Sequence, residues 1–173
     1  MAIDPGETGD ESGGGAEAFW AFSTALYARP GVEPALLALQ DADGLEVNLV
    51  LFCLFAGSRG QSLDGPSIAA MQGVGDIWGR EVVGPLRTVR RQLKALGSEN
   101  GTAASLRDEV MQAELAAEKA MQTALSDLLA GEGDGGRSVA EANLAVWVMA
   151  EELTMTEANT DAFRTVLDAA FPA

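Results

Sequence analysis

The sequence predicts an all-α, single-domain bundle of six to eight helices packed around a central apolar helix at about residues 43–56. Three observations predict it. Residues 47–56, VNLVLFCLFA, hold one polar residue, Asn48, so the segment has no face suited to water, and a helix apolar all round lies inside a protein. Apolar residues recur at helical spacing through most of the remaining chain. The composition leans the same way, with much of its 47% hydrophobic content supplied by alanine, against six prolines and one tyrosine. A chain of 173 residues suits one domain with a core large enough to need neither metal nor disulfide.

Each element follows from local signals. Residues 1–15, MAIDPGETGDESGGG, are acidic, glycine-rich and poor in large apolar groups, which predicts a disordered tail. A first helix over about 16–28 carries Phe19, Phe22 and Leu26 on one face and Trp20, Thr24 and Tyr27 on the next. Such an aromatic stripe reads as core before it reads as a ligand box. Arg29-Pro30 ends it, because proline drives its predecessor out of helical angles. A second helix over about 32–41 packs Leu36, Leu37 and Leu39, and the short Ala42-Asp43-Gly44 turn folds it against the central helix as a hairpin. Asp43 and Glu46 stand at the spacing of a capping box at the start of that central helix.

Gly57-Ser-Arg-Gly60 stops the central helix, and Asp64-Gly-Pro66 starts a fourth over about 66–78. Its Gly73-x-Gly75 lacks the preceding strand and third glycine of a dinucleotide loop. A fifth helix over about 79–96, with a kink or restart at Gly84-Pro85, has the apolar seam Val82, Leu86, Val89, Leu93 and Leu96. A sixth over about 105–130 opens at Ser105-x-x-Asp108 and carries small residues along the middle of its seam. Residues 131–137, GEGDGGR, read as a flexible linker. Helices over about 138–153 and 157–171 close the chain.

Composition also excludes functions. Twenty-six acidic against eleven basic residues give a net charge of −15, which repels phosphate and argues against nucleic-acid or anionic-membrane partners. There is no histidine, so serine–histidine, cysteine–histidine and histidine–metal chemistries are all out of reach. The single cysteine, Cys53, sits mid-helix among apolar neighbours and reads as packing. No signal-peptide pattern or membrane-length apolar run is present, so a cytoplasmic location is expected.

Two blocks resemble a known family. Phe19-Trp20, residues 27–32 (YARPGV), Leu39-Gln40-Asp41 and residues 47–52 (VNLVLF), together with Trp78, Glu81-Val82-Val83, Pro85-Leu86-Arg87, Arg90-Arg91 and Leu93-Lys94, are similar to the DUF2390 family of uncharacterised proteobacterial proteins. That resemblance implies a small helical protein and no chemistry. The glycine-rich tail, the 131–137 linker and the last two helices depart from the shorter form of the family.

Two clusters are candidate binding sites. The first gathers Gln40, Asp41 and Asn48, with Asp43 and Glu46, at the helical hairpin. Those amides and carboxylates suit a small polar ligand or a cation, and the plain alternative is that they tie the hairpin together. The second is the stripe Arg80, Arg87, Arg91 and Lys94, at i, i+7, i+11 and i+14 on a continuous α-helix. It would form a local positive field for an anion or an acidic partner, or a solvated face paired with nearby acids. Glu114 and Glu118, one turn apart, could form an all-oxygen cation site with Glu151 and Glu152, but exposed glutamates need no such reason. No catalytic residue, metal site or cofactor is expected. The leading functional expectation is a non-enzymatic cytosolic interaction or adaptor protein, with a protein partner or a second copy of the chain. The alternative is a small-molecule or anion-binding protein using either cluster. A helical enzyme working through perturbed carboxylates ranks third.

Overall fold

A computed structural model describes residues 11–96, 101–131 and 133–172. Its elements in order are α1 (Glu11–Tyr27), α2 (Val32–Asp43), α3 (Val47–Ser58), α4 (Gly65–Val74), a π-helical segment (Gly75–Val83), α5 (Gly84–Ala95), α6 (Gly101–Ser126), α7 (Arg137–Ala150) and α8 (Glu157–Ala170). The described residues form an all-α bundle without strands, and α3 is its centre. Every residue from 47 to 57 is buried, and Val50, Phe52, Cys53, Leu54 and Ala56 have no exposed surface at all. Phe19 of α1 stacks on Phe55 with ring centroids 4.8 Å apart and tilts against Phe52 at 5.9 Å. The Cys53 thiol is pushed up by burial, so it stays protonated and serves as packing.

The closest helix pairing of the core is α3 on α7. Gly57 makes it possible, because a Cβ there would lie 2.4 Å from the Ala140 Cα. Asn143, buried on α7, then stitches the end of α3 to the following loop. Its amide nitrogen donates to the carbonyls of Cys53 (3.2 Å) and Gln61 (2.9 Å), and its oxygen accepts from the Leu63 N–H (2.8 Å). The 131–137 connection, expected to be flexible, is anchored to the same helix end. The N–H groups of Gly133 and Gly136 donate to the Arg59 and Gly57 carbonyls at 2.8 and 2.9 Å. Those carbonyls lie at the C-terminal end of α3, where helical partners run out, and the Gly57 carbonyl also accepts from the Gly60 N–H at 3.1 Å.

Several boundaries differ from expectation. Of the expected tail, residues 1–10 lie outside the described residues, while residues 11–15 already belong to α1. The cap of α3 falls on Glu46, whose side chain accepts from the Asn48 N–H, and Asp43 is instead the last residue of α2. Gly44 explains the shift: at φ 68° it takes the left-handed angle that closes α2, leaving two residues to enter α3. The expected break between the fourth and fifth helices is absent. Val74, Gly75, Val83 and Gly84 all hold right-handed helical angles, so residues 65–95 run on continuously. Pro85 has no N–H to donate and its ring crowds the carbonyl one turn back. The wider turns before it, with the Gly84 N–H donating to the Gly79 carbonyl, admit it without a break. The expected apolar seam of the fifth helix is also looser than predicted. No residue of α5 is buried, and Val89 and Leu96 are exposed.

Candidate functional site

The first turn of α3 supplies the start of a buried polar chain. Asn48 occupies a position where its neighbours Val47 and Leu49 are both buried, so its amide must find partners inside the protein. Its nitrogen donates to a Glu46 carboxylate oxygen at 3.2 Å, and its oxygen accepts from the Gln122 amide of α6 at 2.9 Å. Gln122 also donates to the Ser23 hydroxyl of α1 at 3.1 Å, and that hydroxyl lies 3.4 Å from the Gln122 oxygen. Three helices are thus joined by Ser23, Gln122 and Asn48, all buried. Removing any member leaves its neighbours unsatisfied, at a cost of about 1–3 kcal/mol.

An ion cluster stands beside this chain. Arg87 of α5 donates through Nε to Glu114 and through a terminal nitrogen to Glu118, both at 3.2 Å. Arg90 forms a two-pronged pair with the same Glu114 through Nε and a terminal nitrogen. The side chains of Arg87 and Glu114 are only 15% and 8% exposed, so this is an interior cluster rather than a surface one. The two glutamates respond in opposite directions. Burial pushes Glu114 up, but hydrogen bonds and charge from Arg90 and Arg87 outweigh it and hold the carboxyl below its ordinary range. For Glu118 burial wins: with Glu114 and Glu46 adding repulsion and Arg87 alone opposing, its carboxyl is held above the ordinary range.

The expected basic stripe therefore does not exist as one surface. Arg87 turns inward. Arg80 lies exposed with Asp76 at 3.3 Å and Glu81 at 3.4 Å, and Arg91 reaches Asp41 at 3.4 Å across an exposed gap. Lys94 is exposed near the end of α5. The spacing argument assumed α-helical turns throughout, and the wider π turns between Arg80 and Arg87 change their register.

Between the polar chain and the ion cluster lies a cavity of about 330 Å³. Trp20 and Tyr27 of α1 form one wall, and Val47 and Leu51 of α3 with Leu115 of α6 add apolar surface. Asn48, Gln122 and Ser23 line its polar end, and Arg87 with Glu118 its charged one. The Tyr27 phenol is pushed up to about 12, first by burial and then by Glu118, Glu46 and Glu33, with Arg87 opposing. It is therefore a permanent hydrogen-bond donor at ordinary pH. A wider cleft of about 700 Å³ opens on the other side of Glu46 and Arg87, lined also by Gln40, Arg80, Gly79 and Glu151. Gly79 lets the π-helical backbone approach there, since a Cβ on it would meet the Glu46 carboxylate at 2.9 Å.

The structure so brings Asn48 and Arg87, one from each expected cluster, into a single cavity. Gln40 and Arg80 meet Arg87 at the other cleft, and Asp41, Arg91 and Lys94 line neither. The four-glutamate cation site does not form. Glu114 and Glu118 face arginines, Glu151 accepts from the Trp147 indole and the Gln72 amide, and no group of three or more metal-ligating acids, cysteines or histidines occurs among the described residues. Trp20, Tyr27, Gln122 and Ser23 are not among the expected site residues, and Glu118 is expected only as a cation ligand beside Glu114. The signal available for the aromatics was that Trp20, Thr24 and Tyr27 share a face distinct from the Phe19–Leu26 seam.

Fold and site together define a helical protein with a half-open, aromatic-walled cavity at the junction of α1, α3, α5 and α6. The chain belongs to the family described as "Protein of unknown function (DUF2390)", whose model matches residues 18–125. That span contains every residue lining the 330 Å³ cavity, whereas the wider cleft also draws on Trp147, Glu151 and Leu153 beyond it. No curated protein and no solved structure matches the chain. No helix of the described residues is long and apolar enough to cross a membrane.

Proposed function

We propose that this is a non-enzymatic cytosolic protein that binds a small organic molecule in the cavity between α1, α3, α5 and α6. One observation carries the reading: Asn48 and Arg87, far apart in sequence, converge with Trp20 and Tyr27 on one concave space. Its volume falls at the lower end of the range for small-molecule sites, and its make-up, apolar walls with a few placed polar groups, is the make-up such sites have. The absence of histidine from the sequence and the inert setting of Cys53 support binding over catalysis. An interaction role for the outer face of α5 is the second reading, favoured by exposed Val89 and Leu96.

The test is a thermal-shift panel of neutral, cationic and anionic aromatic fragments on the wild type and on Leu115→Trp. Leu115 is partly exposed at the cavity, so an indole there fills the space without disturbing the core. A fragment at about a hundred times its Kd adds about 2.7 kcal/mol, a Tm rise of about 5–10 °C for a chain of this size. The rise is expected in the wild type and lost in Leu115→Trp. No rise with any charge class, or the same rise in both proteins, overturns the reading.

A further inference from the structure

Resting on that reading of the cavity, we propose that its ligand is a protonated amine carried on a compact aromatic or apolar body, with Glu118 as the counter-charge.

The argument begins with how the cations are shared. Arg90 gives both of its hydrogen bonds to Glu114, and Arg87 divides its own between Glu114 and Glu118. Glu114 therefore has two guanidinium partners and Glu118 half of one. One Glu118 oxygen accepts from Arg87, and the other has no hydrogen-bond partner among the described residues. Glu118 is the cavity-lining carboxylate, while Glu114 is not part of the lining. Glu46 adds negative charge from beyond Asn48. Two cations oppose them: Arg87, in the lining but shared with Glu114, and Lys119, outside the lining and 4.8 Å from the centre of the Trp20 ring.

Filling the cavity expels water from Glu118, whose second oxygen has no hydrogen-bond partner among the described residues. A neutral ligand would leave that charge dry and unpaired, which is costly. An anion could take the Arg87 N–H groups that Glu114 and Glu118 leave unused, but it would lie beside the Glu118 carboxylate and face Glu46 as well. An ammonium group comes near the Arg87 guanidinium, whose charge Glu114 and Glu118 already share, and satisfies the carboxylate with a charge-assisted hydrogen bond. The remaining walls suit the rest of such a molecule. Trp20 and Tyr27 offer aromatic faces that attract cations and stack on flat rings, and Lys119 over Trp20 is an internal instance of that attraction. Val47, Leu51 and Leu115 cover apolar atoms. The net charge of −15 draws cations towards the protein at long range.

The experiment is isothermal titration of the wild type with tryptamine, with its alcohol analogue indole-3-ethanol and with indole-3-propionate. The titrations are repeated on Glu118→Gln and Trp20→Leu, with circular dichroism confirming that each variant is folded. Tryptamine is expected to bind at least about tenfold more tightly than the alcohol, and the propionate most weakly. Glu118→Gln is expected to lower tryptamine affinity by about tenfold or more while leaving the alcohol within about twofold. Trp20→Leu should weaken all three, as loss of a shared wall. An alcohol or carboxylate that binds as well as the amine, yet is blocked by Leu115→Trp, overturns the amine assignment and leaves the cavity reading standing. An amine preference that survives Glu118→Gln overturns the role of Glu118. No binding by any of the three, in a panel where no other fragment binds, removes the cavity reading itself.

Discussion

α3 and α5 are both twelve-residue helices, and they are held in place by different forces. α3 is sealed on every side from 47 to 57, so water exclusion and close packing fix it, and Gly57 lets α7 approach to backbone contact. α5 buries no residue fully, and Arg87 and Arg90 fasten it to α6 by sharing Glu114 and Glu118. The difference shows what each contributes to the cavity. The sealed helix holds Asn48 in a fixed position, and the ionically fastened one brings a charge, Arg87, to the opposite side. A binding space lined at one end by amides and at the other by an ion pair forms where the two regimes meet.

The largest predicted effect lies on the apolar side. Phe52→Ala removes a fully buried ring from the centre of α3 and is expected to cost about 4 kcal/mol in denaturant unfolding. A cost below about 1 kcal/mol would mean that α3 is not the packed centre.

Next comes Glu114→Gln, which leaves two arginines short of their shared partner and should cost about 2–3 kcal/mol at neutral pH. Its pH dependence has a definite sign. Because Glu114 is held below its unfolded value, its stabilisation is present above that value and is lost as pH falls through the folded one. The gap between wild type and variant should therefore close in acid, below roughly pH 4. Glu118, one turn away, should behave in the opposite sense. Its carboxyl is held above the ordinary range, so its contribution is most favourable at low pH and declines as pH rises through the folded value. Glu118→Gln should accordingly cost far less than Glu114→Gln at pH 7, or stabilise slightly. Equal costs for the two variants would contradict the unequal sharing of the two arginines, with Arg90 bound to Glu114 alone.

The smallest effect is at the rim. Arg91→Ala breaks the exposed pair with Asp41 and should change stability by less than about 0.5 kcal/mol.

The same contrast governs what could be read in the sequence. The sealed helix was legible because burial on all sides leaves a composition signal, the unbroken run 47–56. The helices α1, α2, α7 and α8 were legible from periodicity. The local rule puts the cap on Asp43, but α2 runs through that residue to its close at Gly44, and the role passes to Glu46. The arginine stripe failed for a related reason: spacing counts assume one helical pitch, and the π turns before Pro85 change it. Gln122, Ser23 and Asn143 could not be singled out, since a polar residue on a long helix shows nothing of the buried partner it will meet from an element far along the chain. Trp20 and Tyr27 were visible as a separate aromatic face, and only packing distinguishes a cavity wall from a core.

The most direct test of the account is a two-dimensional 1H–15N titration that follows the side-chain amides of Asn48 and Gln122 and the indole N–H of Trp20 as tryptamine is added. All three are predicted to shift together along one saturating curve in the wild type and to stay unmoved in Leu115→Trp. Saturable binding with these three signals unmoved in the wild type, and shifts confined to surfaces such as Val89 and Leu96, would contradict it.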